Sequence, residues 1–410
     1  MKISFHTFGC KTNLYDSNKI ASSFLENAFF EIFEGELNAD VHVVNTCTVT
    51  SSADAQARNL IRKIDKNSKN ALVLIIGCSV RANINTYAEI FSDLKNNNNR
   101  FLVMDNLKDD VIVCLEKELS KKISDKNIII PAFRTRAFIK ISDGCNNFCS
   151  YCIVPFVRGR EKSRPILDIV EEIKVMEAKD IKEIVITGIS IGDYSFGLEA
   201  LLKELLISTK DVRFRISSLR PSKISDELIE LMKDKRICPH LHVSLQSASN
   251  KVLGLMNRYD YTSELFLERI MSFYHRLESR NPFISADIIT GFPGEGEQEF
   301  LETMKILNNI PINKLHVFEF SPRPGTKAFE FKREKAEQVH KKRDTLLAFS
   351  QTRYIESINN MIGKTTEILW ERENIGHTEN YYQVEGTGAP NTLEIAKIRS
   401  VNLDKQTLLL

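Results

Sequence analysis

Between residues 137 and 320 the chain repeats one pattern: a short apolar strand, a turn of glycine and polar residues, then an amphipathic helix. Candidate strands span 137–142, 183–187, 213–217, 241–246, 283–290 and 315–320, with helices between them such as 166–178, 225–232, 261–277 and 297–307. Strands joined by helical crossovers pair in parallel. Eight such units close a full barrel, with chemistry at the C-terminal ends of its strands. Six units therefore predict a (β/α)6 partial barrel, assigned to residues 131–361.

The turns after these strands hold the chemistry. The first carries Cys145, Cys149 and Cys152 within eight residues, as C-x3-C-x2-C. Thiolates are soft ligands that select zinc, copper(I) or iron–sulfur clusters. No fourth Cys or His at zinc spacing follows within thirty residues, and the ferredoxin spacing is absent. Three cysteines on a cubane leave one iron without a protein ligand, so the loop is read as a [4Fe–4S] site with an open iron. At the other strand ends Gly188 and Gly291 would let a ligand lie against backbone. Ser217, Ser218, Gln246 and Arg323 would hydrogen-bond it. Just after the cysteine loop, Arg158, Arg160, Lys162 and Arg164 are candidate RNA-phosphate contacts. Lys332 to Asn359 is expected to be a long helix with a solvated basic face.

The first 125 residues alternate differently. Strands are expected at 2–8, 41–45 and 71–77, with a helix from about Ser17 and another capped by Ser51 or Ser52. This is a doubly wound α/β pattern. Cys10, Cys47 and Cys78 each follow one strand by one or two residues, and parallel strands end on one edge. The three thiols are thus expected to meet as a second three-cysteine site; independent core thiols are the alternative. Cys114 lies on an apolar helix face and is assigned to the core, and Cys238 receives no role.

A linker is expected within 118–132. Residues 364–410 hold short strands split by Gly, Asn and Pro, which predicts a small all-β domain of the open-barrel kind that binds oligonucleotides. Within residues 365–410, seven Asp/Glu against four Lys/Arg leave RNA contact to shape and to Trp370, Tyr381 and Tyr382. The whole chain has a formal charge of +2, so any basic footprint is local. The longest apolar run, 71–77, cannot span a bilayer. The first residues alternate as a strand does, without the pattern of a signal peptide. A cytoplasmic location with reduced thiols and no membrane partner is expected.

Residues 136–144 through Cys152, then Ile153-Val154-Pro155 and Arg158-Gly159-Arg160, resemble the radical S-adenosylmethionine (SAM) methylthiotransferases. The stretches Gly9-Cys10-Lys11-Thr12-Asn13 and Asn45-Thr46-Cys47-Thr48-Val49-Thr50 are most similar to the branch acting on N6-threonylcarbamoyladenosine in tRNA. The resemblance implies two [4Fe–4S] clusters. The cluster on Cys145, Cys149 and Cys152 would bind and cleave SAM, flanked by Phe148 and Tyr151. The one on Cys10, Cys47 and Cys78 would carry the sulfur inserted at adenine C2. It implies as partners a tRNA anticodon stem-loop, a flavodoxin- or ferredoxin-like electron donor and a sulfur donor. It nominates no side chain as general acid or base. The C-terminal unit resembles the TRAM RNA-binding domain. Two positions depart from the family pattern: Ala248 stands where glycine is usual, and Arg220 where an acid is common. The alternatives are another substrate, isopentenyladenosine in tRNA or ribosomal protein S12, and a non-catalytic, metal-containing RNA-binding protein.

Overall fold

The structure is a computed structural model that describes residues 1–25, 29–94, 98–105, 109–121, 123 and 135–410. Most of the linker expected within 118–132 lies outside the described residues. Strands β1 (Lys2–Thr7), β2 (Glu31–Glu34), β3 (Val41–Thr46), β4 (Leu72–Gly77) and β5 (Arg100–Val103) form a parallel sheet in the order β2-β1-β3-β4-β5. β3 and β4 are buried at every residue; β4 is accordingly a nearly continuous apolar run, whereas the buried His42 and Asn45 of β3 are hydrogen-bonded to Ser68 and to the Asn13 carbonyl. The chain order reverses between β1 and β3, the switch point where open α/β sheets bind ligands.

Helix α1 (Lys11–Ser22) begins directly after Cys10, six residues before the expected start at Ser17. Its buried face is polar, so apolar periodicity cannot reveal it. Asn13 donates through Nδ2 to the carbonyls of Phe8 (2.8 Å) and Thr46 (3.0 Å), replacing apolar packing with hydrogen bonds between strand ends. Helix α2 (Ser51–Asn67) is capped by Thr50, whose hydroxyl accepts the Ala53 N–H at 3.2 Å.

The second unit contains all six expected strands: β6 (Ala137–Asp143), β8 (Glu183–Gly188), β9 (Arg213–Ile216), β10 (His240–Gln246), β11 (Phe283–Thr290) and β12 (Lys314–Glu319). A two-residue antiparallel strand, β7 (Lys162–Ser163), borders β6. The orders β7-β6-β8-β9 and β10-β11-β12 are joined by parallel bridges Phe214–Ile237 and Leu219–Val243. Alternation along the strands separates two environments. Leu241, Val243, Leu245, Ile284, Ala286 and Ile288 join the core beneath the helices. His240, His242, Ser285, Asp287 and His316 occupy the opposite register and face the lumen.

The barrel is open between β6 and β12, and the N-terminal unit spans the gap. On the β6 side α1 lies against β6 and β8, with Lys140 paired to Asp16 at 2.5 Å. On the β12 side the Ser51 N–H donates to Ser321 Oγ at 3.2 Å, and Arg323 pairs with Asp54.

The last six strands are β13 (Thr365–Arg372), β14 (Ile375–Thr378), β15 (Gln383–Glu385), β16 (Leu393–Lys397), β17 (Ser400–Asn402) and β18 (Thr407–Leu409). This sheet sits on the N-terminal ends of the barrel strands, opposite the cysteine loop. Glu367 pairs with Arg213 at 2.9 Å, Glu379 with Arg280 at 2.8 Å, and Glu371 with Arg136. Part of the acidity of this unit is therefore spent on docking. The expectation of exposed aromatics is corrected as well. Trp370 is wholly buried, Tyr382 packs on Phe283 with ring centres 4.9 Å apart, and Tyr381 stacks on His240 at 4.7 Å. Among the described residues no helix is long and apolar enough to cross a membrane.

Candidate active site

Cys10, Cys47 and Cys78 follow the adjacent strands β1, β3 and β4, and Cys10 caps α1. Two glycines let their loops converge. Gly9 has φ +93°, and a Cβ there would lie 2.5 Å from both Cys47 Cβ and Sγ. Gly77 has φ +105°, and its Cβ would collide with the Thr46 carbonyl. Burial, with Cys10 and Cys78 adding to it, pushes the Cys47 thiol up to about 12. Burial also raises Cys78, opposed by Arg158 and reinforced by Cys10. Cys47 and Cys78, whose ionisation burial disfavours, suit a cation shared with Cys10, which would hold the three as thiolates.

Cys145, Cys149 and Cys152 form the second group. Burial pushes Cys152 up to about 12, with Cys149 and Cys145 adding to the rise. Two residues that the sequence reading missed support this loop. Asn147 donates through Nδ2 to Asp193 at 2.7 Å and approaches Cys145 Sγ at 3.4 Å. Arg258 directs Nη1 at Cys149 Sγ, 3.7 Å away, and at the Tyr151 hydroxyl, 3.3 Å away. Tyr151 also packs edge-on against Phe292 at 6.2 Å. A lone arginine between two helices, 109 residues from its cysteine, carries no spacing signal.

The basic segment after the loop divides in two. Arg160 and Lys162 are exposed, Arg160 lying 4.2 Å over the Phe148 ring. Arg158 and Arg164 require correction as RNA contacts. The Arg158 side chain is 1% exposed. It donates to Cys78 Sγ at 3.1 Å, to Asp143 at 2.8 and 3.0 Å, to Asp16 at 3.3 Å and to Asn13. Burial alone would raise Asp143, yet Lys140 and Arg158 hold it well below the usual carboxylate range. Arg164 is taken up by Glu172 at 2.6 Å and the Tyr15 hydroxyl at 2.9 Å. The basic helix also needs amendment: it starts at Ala336, and Lys342 is buried with Nζ donating to the Glu295 carbonyl at 2.6 Å.

Among the residues expected to hold a small-molecule cofactor, Gly188, Ser217, Ser218 and Gln246 lie at the C-terminal ends of β8, β9 and β10. Gln246 has φ +70°, strain of the kind that accumulates at functional sites. Among the described residues the hydroxyls of Ser218 and Ser142 are buried without partners, and a Cβ on Gly188 would press on Ser142 Oγ at 2.8 Å. Unsatisfied buried donors in a close-approach cradle fit a polar cofactor such as SAM. Two assignments are corrected. The Gly291 N–H donates to Glu295 at 2.7 Å, and a Cβ there would meet Val339 at 2.6 Å, so that glycine serves helix packing. The Arg323 guanidinium binds Asp54, Thr48 and Ser51 around the Cys47 loop, and among the described residues its Nε has no partner. The departures are accommodated: Ala248 is outside the left-handed region, and Arg220 pairs with Asp260. Cys114 is half-buried rather than fully in the core, and Cys238 is buried near Glu183.

The lumen between these groups is polar. His242 bridges Ser285 (2.7 Å) and Asp287 (3.1 Å), with the His316 ring 4.9 Å away. Lys11, the residue after Cys10, enters this space, where its electrostatic neighbours are Tyr381, Arg136, Arg215 and Asp287. Burial lowers its ammonium below the ordinary lysine range.

Residues 139–307 match the Radical SAM superfamily, and residues 2–96 match the Uncharacterized protein family UPF0004. A radical SAM methyltransferase, TsrM from Kitasatospora setae, shares the fold with a TM-score of 0.56 and 13% identity, covering 80% of this chain and 76% of that one. The barrel and its three-thiol loop thus define a radical SAM enzyme. Threonylcarbamoyladenosine tRNA methylthiotransferase MtaB of Aquifex aeolicus is 32% identical, covering 97% of this chain and 100% of that one. The protein of the same name from Bacillus subtilis is 33% identical over 97% and 93%. A tRNA-2-methylthio-N(6)-dimethylallyladenosine synthase from a Thermoanaerobacter species is 33% identical over 89% and 81%. The chain belongs to the radical SAM tRNA methylthiotransferase family, an enzyme class that uses [4Fe–4S] clusters and SAM. The alternative of a non-catalytic RNA-binding protein is set aside.

Proposed function

We propose that this enzyme methylthiolates C2 of N6-threonylcarbamoyladenosine beside the tRNA anticodon, giving 2-methylthio-N6-threonylcarbamoyladenosine. Cys145, Cys149 and Cys152 would hold one [4Fe–4S] cluster, and Cys10, Cys47 and Cys78 the other. The observation that carries the reading is one side chain. Arg158 donates at once to Cys78 of the first triad and to Asp143, two residues before Cys145 of the second. A shared partner of this kind supports reading the triads as one site, as a reaction needing both a radical and a sulfur source requires.

When bound, the clusters and SAM supply the one-electron and sulfur-transfer chemistry that side chains lack. The chain binds and orients. Asn147 and Arg258 direct N–H groups at the sulfurs of Cys145 and Cys149. Ser142 and Ser218 offer free hydroxyls to SAM. The N-terminal unit covers the open side of the barrel and limits entry of water. Arg160 and Lys162, exposed beside the mouth, meet RNA phosphates, and the C-terminal sheet is a TRAM-like candidate for further RNA contact. A flavodoxin- or ferredoxin-like electron donor, a sulfur donor and a cytoplasmic location complete the proposal.

Nucleoside mass spectrometry of tRNA from a deletion strain tests it. Loss of 2-methylthio-N6-threonylcarbamoyladenosine with accumulation of its unthiolated precursor is expected. Its persistence would sink the substrate assignment, and loss of the isopentenyl analogue instead would favour the other adenosine.

A further inference from the structure

Among the described residues, one cation of the lumen forms no ion pair. The neighbouring guanidiniums are accounted for: Arg215 and Arg213 share Glu183 at 2.7 and 2.8 Å, Arg213 also pairs with Glu367, and Arg136 with Glu371. Asp287, the carboxylate that acts electrostatically on Lys11, is engaged by His242. Lys11 is half-buried and makes no hydrogen bond or ion pair among the described residues. Holding an uncompensated ammonium among two guanidiniums costs free energy unless an anion arrives. The position narrows the anion. Arg136 and Tyr381 mark the end of the lumen away from the strand-end cradle assigned to SAM. Lys11 is thus an electrostatic neighbour of the lumen end away from that cradle, where a protruding arm of the substrate would lie.

We propose that Lys11 is a specificity-determining residue whose ammonium binds the carboxylate of the threonylcarbamoyl arm. This rests on the substrate reading above. The arm ends in a carboxylate and a hydroxyl, whereas a dimethylallyl arm is wholly apolar and would leave Lys11 buried without a counter-charge. Asp287 and His316, the latter open to the lumen, supply acceptor and donor groups for the hydroxyl and the carbamoyl N–H. Lys11 also adjoins Cys10, so recognition of the arm is built into the loop proposed to hold the sulfur-carrying cluster. Reading the arm and placing the sulfur then depend on the same turn of chain.

The test uses anaerobic holoenzyme and fluorescence anisotropy with three anticodon stem-loops. One carries threonylcarbamoyladenosine, one the threoninol analogue in which CH2OH replaces the carboxylate, and one plain adenosine. A buried charge-assisted hydrogen bond predicts that the enzyme binds the first about 10- to 100-fold tighter than the second. Lys11→Gln should bring that ratio within about twofold, and Lys11→Arg should restore most of it. Equal binding of the first two RNAs by the unmodified enzyme overturns the proposal without recourse to a variant, so a Lys11→Gln protein that fails to fold or to hold iron does not shelter it. Unchanged discrimination in a folded Lys11→Gln protein overturns it too. So does weakened SAM binding in equilibrium dialysis with RNA discrimination intact, which would assign the ammonium to the SAM carboxylate. If the enzyme does not thiolate the threonylcarbamoyl RNA at all, the substrate reading has failed. If it thiolates that RNA while ignoring the carboxylate, only the role of Lys11 has failed.

Discussion

Replacing Arg158 with Met keeps much of the volume and removes the charge and every hydrogen bond of a side chain that is 1% exposed. The loss is set by what remains. Lys140 still pairs with Asp16 at 2.5 Å and with Asp143 at 2.9 Å, so neither carboxylate is stranded. Asn13 Oδ1 and Cys78 Sγ lose their guanidinium donors. Removing one partner of a buried ion pair costs about 3–5 kcal/mol, and the surviving Lys140 places Arg158→Met at the low end, about 3 kcal/mol. Urea unfolding of the metal-free protein under reducing conditions measures this. With a slope of about 3 kcal/mol per molar urea, the midpoint should fall by roughly 1 M. RNA affinity at constant folded fraction should not change. A midpoint shift below about 0.3 M accompanied by weaker RNA binding would refute the reasoning and return Arg158 to the phosphate contacts.

Arg160→Ala should do the reverse: an unchanged midpoint, weaker stem-loop binding and a salt dependence of log K reduced by about one, checked by anisotropy across a salt series. Cys149→Ala should abolish SAM cleavage, while Cys47→Ala should spare cleavage and eliminate thiolation; equal loss of 5′-deoxyadenosine in both would count against separate jobs for the triads. Burial raises the Glu295 carboxyl to about 7, opposed by the Gly291 N–H and Lys342. Between the ordinary carboxyl range and pH ~7 the folded chain holds a proton that the unfolded chain has shed, so stability falls as pH rises through that window. Glu295→Gln should flatten this slope in denaturation at pH 5 and 8, and a steeper slope would show that the charged form is the stabilising one.

The strands of both units were legible because a parallel strand buried on both faces needs an apolar run, as in β4, while β11 keeps enough apolar core residues around its lumen-facing Ser285 and Asp287 to read as a strand. The two cysteine triads were legible for different reasons. One is compact in sequence, and the other follows from strand ends sharing an edge. What escaped was decided by partners far along the chain. Arg158 and Arg160 look alike in sequence, yet the first meets Asp16, 142 residues away, and is buried. Arg323 likewise meets Asp54 across 269 residues. Helix α1 was placed late because Asn13 and Asp16 point inward, and a buried polar face imitates a loop.

The barrel has no floor of its own. With the C-terminal sheet in place, the guanidiniums of Arg136, Arg213 and Arg215 face three carboxylates, those of Glu183, Glu367 and Glu371. Cutting the chain before residue 364 would leave the same three cations over Glu183 alone, and water would flood the lumen from below. A shortened enzyme that no longer thiolates tRNA would therefore report a leaking reaction chamber as readily as a lost grip on RNA.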